Sequence, residues 1–232
     1  KKMTLKFGGQ DVTIADFARL NARCPYIAFI PQWDFLNFLA AEAKKYPTFK
    51  LLMHTEVIRL IEHDGVVAGV MAQGPDGPVE VYSELVVGAD GRHSTVREKS
   101  GLKAEASGAP IDVLWFRLPM TGADPQQSFG YIDEGRAMVT LDRGDYWQCG
   151  LIIAKGDFEH IQKDGLDKFR MLIARLAPNF SAQVRDITSW EQVKLLSVTI
   201  DRLTTWYKPG LLMIGDAAHA MSPMGGVGIN LA

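Results

Sequence analysis

The chain has 232 residues, 47% of them hydrophobic and 22% charged, with a formal net charge of −2. That length and balance describe one large or two small folded domains and exclude a disordered chain. The near-neutral charge gives no basic face for a nucleic acid, and no uncharged apolar run reaches the roughly 18 residues that a membrane span needs.

Cys24 and Cys149 lie far apart with no CxxC spacing, so neither a disulfide framework nor a cysteine zinc site is expected, and a reducing, cytoplasmic setting is the default. The chain opens Lys-Lys-Met, without the features of a signal peptide. It stops at Gly228–Ala232, which read as the first turn of a helix. The expectation is a segment of a longer protein.

In chain order, Met3–Phe7 and Val12–Ile14 are short β-like runs split by Gly8-Gly9-Gln10-Asp11, a hairpin signal. Tyr26–Ile30 is another short apolar run. After Pro31, Phe35, Phe38, Leu39 and Ala43 fall at helical spacing and predict a helix from Gln32 to Lys45, stopped by Pro47. Phe49–Met53, Val57–Glu62, Val66–Ala72 and Val79–Ser83 read as strands of a meander, with turns at His63-Asp64-Gly65 and Gly74–Pro78. Leu85-Val86-Val87 is wholly apolar, as suits a strand buried on both faces, and ends in Gly88-Ala89-Asp90-Gly91 before a short helix, Ser94–Lys99. Val113–Leu118, Ser128–Ile132, Ala137–Leu141 and Trp147–Ile153 predict an antiparallel sheet, followed by an amphipathic helix over Leu166–Leu176. Val193–Leu203 reads as a strand with its approach, and Leu211–Ile214 as a second buried strand ending in Gly-Asp.

Two kinds of sheet therefore share the chain. The fold class is α/β with α+β elements, a nucleotide-type layer combined with a β-rich second domain. The expected boundaries are residues 1–105 in the first domain, 106–192 in the second, and 193–232 returning to the first.

The strongest chemical signal is Leu211-Leu212-Met213-Ile214-Gly215-Asp216, followed by Pro223-Met224-Gly225-Gly226-Val227-Gly228-Ile229-Asn230. A buried strand delivers an aspartate to its carboxyl end, where open α/β sheets bind ligands. The glycines allow close backbone approach. A helix starting near Gly226 would aim free N–H groups at an anion or electron-rich ring. Gly88–Arg97 repeats the strand, Asp-Gly loop and helix start, although Ser94 in that segment suits a plain helix cap. The five histidines show no metal-ligand spacing, so no metal site is expected. His93 and His219 read as structural hydrogen-bonding residues. Among Trp115, Phe116, Phe129, Tyr131, Tyr146 and Trp147, most are expected in the core and one or two toward a substrate. Arg117, Arg136 and Arg143 are candidates to pair with a substrate carboxylate, against the plainer alternative of solvated strand ends.

Asp90-Gly91 and Gly215-Asp216, some 125 positions apart, resemble the DG and GD motifs of the group A flavoprotein monooxygenases, the para-hydroxybenzoate hydroxylase-like aromatic hydroxylases. The trailing Pro-x-Gly-x-x-Gly-x-Asn strengthens the likeness. It is tight over residues 26–102 and 195–232 and weak between. The resemblance implies a Rossmann-like FAD-binding domain with an antiparallel substrate domain covering the flavin. It implies that Asp216 bonds the ribityl chain of FAD, that the backbone from Gly225 through Gly226, Val227, Gly228 and Ile229 to Asn230 lines the flavin pyrimidine edge, and that Pro223 lies beside the ring. Asp90 would serve both FAD and the nicotinamide nucleotide, Gln32 would reach FAD where many relatives use Arg, and the backbone of Val57 would meet the adenine.

The implied reaction is NADH- or NADPH-dependent hydroxylation of a small aromatic or electron-rich substrate, with molecular oxygen adding at flavin C4a as a hydroperoxide. No catalytic side chain is named, because the cofactor carries the chemistry. A homodimer is the oligomeric expectation. The strand–GxGxxG–helix unit with which the family opens does not occur here, so the isolated segment is expected to hold little or no FAD. Its two buried strands are expected to show apolar surface or an unpaired edge. The alternatives are a non-catalytic module without flavin, or a flavin-dependent reductase or epoxidase.

Overall fold

The computed structural model describes residues 2–121, 128–223, 226 and 228, with the backbone alone at residues 128 and 129. The elements run β1 (Lys2–Phe7), β2 (Gln10–Asp16), α1 (Gln32–Ala43), β3 (Glu56–His63), β4 (Val66–Gly74), β5 (Gly77–Tyr82), β6 (Val86–Gly88) and α2 (Thr95–Ser100). They continue through β7 (Ala104–Ala106), β8 (Ile111–Pro119), β9 (Ser128–Asp133), β10 (Arg136–Asp142), β11 (Tyr146–Ala154), α3 (Phe158–Asp164) and α4 (Leu166–Leu176). The last strands are β12 (Lys194–Leu196), β13 (Asp201–Leu203), β14 (Tyr207–Lys208), β15 (Leu211–Met213) and β16 (His219–Ala220). The chain divides into two units, residues 1–42 with 110–197, and residues 43–109 with 198–232.

The first unit is built on a seven-stranded sheet in the order β12-β8-β11-β10-β9-β1-β2. Neighbours pair antiparallel except β1 and β9, which are parallel. Strict alternation along β8, β10 and β11 sends Leu114, Phe116, Leu118, Met138, Trp147, Cys149, Leu151 and Ile153 to one face. There they meet Phe169, Ile173 and Leu176 of α4, together with Phe180, Val184 and Ile187. Edge-to-face contacts of Phe116 with Phe169, and of both Tyr131 and Trp147 with Phe180, lock this layer.

The second unit holds three small sheets, β3-β4-β5, β14-β15-β6 and β16-β13-β7. Its core joins Leu60, Val67, Val96, Leu203, Leu211, Met213, Ala217 and Ala218. Gly210 turns the chain into β15 with φ +77°, and a Cβ there would overlap the Val67 carbonyl oxygen. Only glycine meets both demands.

Several expectations change. Phe49–Met53 forms no strand and lies exposed. Val193–Leu203 is not one strand: β12 joins the large sheet, while β13 pairs with β7 and β16 in the other unit. Leu85–Val87 is not buried on both faces, and among the described residues β6 pairs on one side alone, with β15. Leu85 and Val87 are 54% and 47% exposed. Among the described residues β6 has one unpaired edge and exposed apolar side chains, as expected, whereas β15, of which the same was expected, is paired on both sides, by β14 and β6. In α1, Phe35, Phe38 and Leu39 occupy one helical stripe, yet none is buried. The N-terminal hairpin, grouped by the sequence with residues 1–105, is hydrogen-bonded through β1 to β9 of the large sheet. Periodicity carries no information about that long-range pairing.

Candidate functional site

The second unit brings its two Gly-Asp segments together. β6 and β15 are parallel, with Met213 opposite Gly88, and the Ile214 N–H donates to the Gly88 carbonyl at 2.9 Å. The loop carrying Asp90 and the turn carrying Asp216 therefore leave the same end of a parallel pair, side by side. This is the carboxyl-end position at which open α/β sheets bind ligands.

Gly215 sits at φ +62° with open space around it and starts a 3₁₀ turn, Gly215–Ala217. The turn closes through the Ala218 N–H to the Gly215 carbonyl at 2.9 Å. It leaves Asp216 exposed, with no hydrogen bond or ion pair to any described residue. An exposed, unengaged carboxylate on a glycine turn is available to accept from a ligand donor, such as a hydroxyl.

Asp90 is used differently. Its carboxylate accepts from the Ser94 hydroxyl and from the Val96 N–H at 3.1 Å. Ser94 is the N-cap of α2 and accepts from the Arg97 N–H at 2.8 Å, as its sequence context predicts. Asp90 thus holds the loop through Gly91 and Arg92 against the start of α2. Arg97 completes the arrangement. It donates to the Arg92 carbonyl at 2.6 Å, pairs with Asp201 at 3.2 Å and reaches the Ala217 carbonyl at 3.4 Å. One guanidinium links the DG loop, β13 and the GD turn. Sequence reasoning missed it, since an Arg in a six-residue helix carries no distinguishing signal.

The other expected site residues fall as follows. Val57 lies on β3, opposite Ala72, at the edge of its sheet among the described residues. Gln32 is the first residue of α1 and belongs to the first unit, whereas Val57, Asp90 and Asp216 belong to the second. Pro223 is half-buried, and its carbonyl accepts from the Gly226 N–H at 3.1 Å. Gly226 has φ +62° and is exposed. Gly228 is in helical conformation. Gly225, Val227, Ile229 and Asn230 lie outside the described residues. His219 stacks on Trp206, with ring centroids 5.0 Å apart, and its buried Nε2 has no partner among the described residues. His93 is exposed.

Among the described residues there is no cluster of His, Cys, Asp and Glu that would hold a metal, and no helix is long and apolar enough to cross a membrane. FAD fits the residues that are present: the free Asp216 carboxylate suits a polyhydroxyl chain, and the glycine turn leaves room beside it.

In the first unit, Phe116, Tyr131 and Trp147 pack in the core, whereas Trp115 and Tyr146 point to the opposite face of the sheet. The Phe129 side chain lies outside the described residues. Arg117 lies over the Tyr146 ring at 4.5 Å, and Arg143 Nε donates to Gln148 at 2.9 Å. Arg136 is placed elsewhere, lining a cleft of about 500 Å³ beside α3 and α4 with His160, Asp164 and Lys168.

The family model described as "FAD binding domain" matches residues 1–232. A 6-methylpretetramide 4-monooxygenase of Streptomyces rimosus is 30% identical over 226 residues, which is 97% of this chain and 54% of that protein. A kynurenine 3-monooxygenase of Xanthomonas axonopodis pv. citri is 28% identical over 84% of this chain and 44% of its own length. The chain spans about half the length of the curated relatives it matches. Among solved structures, PqsL of Pseudomonas aeruginosa, crystallised with 2-aminobenzoylacetate, superposes with a TM-score of 0.82 at 19% identity. The match covers 99% of this chain and 63% of that one, and it shows a shared fold.

Proposed function

The chain belongs to the FAD-binding domain family, and on that premise we propose that it serves an FAD-dependent, NAD(P)H-using monooxygenase that hydroxylates an aromatic or similarly electron-rich small molecule. The observation that carries this reading is the free Asp216 carboxylate on its glycine turn, set beside the Asp90 loop at the carboxyl end of β6 and β15. The relatives supply the reaction class: by their names one is a 6-methylpretetramide 4-monooxygenase and another a kynurenine 3-monooxygenase.

In this reading Asp216 accepts a hydrogen bond from the FAD ribityl chain. Pro223 lies beside the ring, and the backbone from Gly225 to Asn230 donates to its pyrimidine edge, where negative charge gathers on reduction. Val57 meets the adenine and Gln32 reaches FAD from α1. Asp90 shapes the DG loop that serves FAD and the transient reductant, NADH or NADPH. FAD, when bound, supplies the activation of dioxygen. The protein positions the aromatic ring and keeps water out. A homodimer and a cytoplasmic location belong to the same proposal.

The test is to purify the full-length protein, record its visible flavin spectrum, and follow NADH and NADPH oxidation and oxygen uptake against a panel of phenols and fused-ring phenols. A product heavier by one oxygen atom is the expected result. Bound flavin with no oxygenated product from any panel member would refute the reading.

A further inference from the structure

The cleft of about 500 Å³ beside α3 and α4 contains none of the residues assigned to FAD and lies wholly within the first unit. A volume of that size holds a small organic molecule. Its floor is apolar: Leu151, Ile153 and Phe169 are buried there, and Ile161 and Leu172 are half-buried. Alternation along β10 puts Arg136 on the same face as Met138, the face that α4 covers. Asp157 reaches the cleft from the turn between β11 and α3, where its N–H donates to the Ala154 carbonyl at 3.1 Å.

The charges around this floor divide into two groups. In the first, each has a partner. Lys168 donates to Asp164 at 2.9 Å and holds its carboxyl below the usual range, and His160 Nε2 lies 3.9 Å from the same carboxylate. A second cleft, of about 350 Å³, shares Arg136, Lys168 and Leu172 with the first. There Arg175 donates to Glu134 at 2.6 Å, and Asp133 accepts from the Glu134 N–H at 3.0 Å.

The second group is Arg136 and Asp157. Neither side chain makes a hydrogen bond or ion pair with any described residue, and they do not pair with each other. Asp157 stands at the N-cap position of α3, yet its carboxylate caps nothing. One cation and one anion thus face a common apolar floor without closing on one another. A ligand with only a negative charge would meet the Asp157 carboxylate, and one with only a positive charge would meet the Arg136 guanidinium. A ligand carrying both charges satisfies the two together.

We propose that this cleft binds a small zwitterion with an apolar body, of the α-amino-acid class, its carboxylate on Arg136, its ammonium on Asp157 and its apolar side chain on the floor formed by Phe169 and Leu172. The planar guanidinium fork suits a carboxylate, and the apolar body gains by leaving water. The site is separate from the flavin reaction and does not depend on it.

Calorimetric titration of the flavin-loaded full-length protein at pH 7 with L-phenylalanine, 3-phenylpropanoate and 2-phenylethylamine tests it, since the three share one apolar body and differ in charge. Both charged groups stand near the surface, so L-phenylalanine is expected to bind about fivefold tighter, or more, than either of the others. Arg136→Gln should bring L-phenylalanine down to the level of the amine, and Asp157→Asn to the level of the propanoate. Neither substitution should move the melting temperature of the unliganded protein, because neither side chain has a partner to lose. Leu172→Trp, which fills the floor, should weaken all three ligands. The visible flavin spectrum should stay constant throughout. Equal binding of the three ligands, no binding of any, or a zwitterion preference that survives both charge variants would overturn the proposal. Binding that shifts the flavin spectrum and is indifferent to Leu172→Trp would do the same, by placing the ligand at the flavin instead.

Discussion

Asp216 and Asp90 show that two aspartates in the same sequence setting have different duties. Asp90 spends both oxygens on α2, while Asp216 keeps its carboxylate unengaged. Asp216→Ala in the full-length protein is therefore expected to weaken FAD retention by about 1–3 kcal/mol, the worth of a charge-assisted hydrogen bond. Unchanged melting temperature of the apoprotein should accompany that loss. Stoichiometric flavin after long dialysis of the mutant would contradict it. Cys149 gives a second residue-scale expectation. Burial pushes its thiol from an ordinary 9.0 up to about 12. Below pH 9 the thiol is neutral in folded and unfolded chains alike. Above it the unfolded chain releases a proton that the folded chain retains, so stability falls as pH rises from 9 toward 12. Urea unfolding across that window should show a steeper fall for the parent than for Cys149→Ala. Ellman's reagent should label exposed Cys24 promptly and Cys149 only on unfolding.

At the scale of elements, the short parallel strands depend on what their ends do. β15 has three residues, too few to hold register by itself. It is fixed by Gly210 before it and by the Met213 and Ile214 N–H bonds to Trp206 and Gly88 after it. Gly210→Ala combines positive φ with overlap onto the Val67 carbonyl. It should destabilise the protein by about 3 kcal/mol or more in urea unfolding. A loss under 1 kcal/mol would show that this turn relaxes freely, on the same scale. Ser94→Ala removes the α2 cap and one partner of Asp90, and is expected to cost about 1–2 kcal/mol in the same assay. The short helix has little intrinsic stability, so the cap and the burial of Val96 carry it.

Across the molecule, Arg97 is one of the side chains that join segments far apart in sequence through polar contacts. With side chains 15% and 10% exposed, Arg97 and Asp201 form a largely buried pair. Asp201 also accepts from the Ala220 N–H at 3.2 Å. Arg97→Met would strand that carboxylate and free both Gly-Asp loops. A loss of about 3–5 kcal/mol, the range for breaking a buried pair from one side, is expected together with weaker FAD retention. Arg97→Lys should recover little of it, because one ammonium cannot span acceptors on three segments. Near-parental stability of the methionine variant would show that the link is dispensable.

Sequence by itself determined the local and the periodic. Alternation located β8 to β11 and the 3.6-residue pattern located α4 at Leu166–Leu176, because each reflects a face buried by nearest neighbours. The two Gly-Asp motifs were legible because glycine and aspartate in such turns answer backbone requirements that are themselves local. Tertiary structure alone decided which strands pair across long separations. It joined the N-terminal hairpin to β9, split Val193–Leu203 between two sheets, and left Phe49–Met53 without a strand. It also decided which carboxylate stays free, which of three arginines share a face, and that Trp115 reaches over Gly150. Those outcomes depend on cross-strand register and on partners in other segments of the chain, and the order of side chains along one segment holds no record of either.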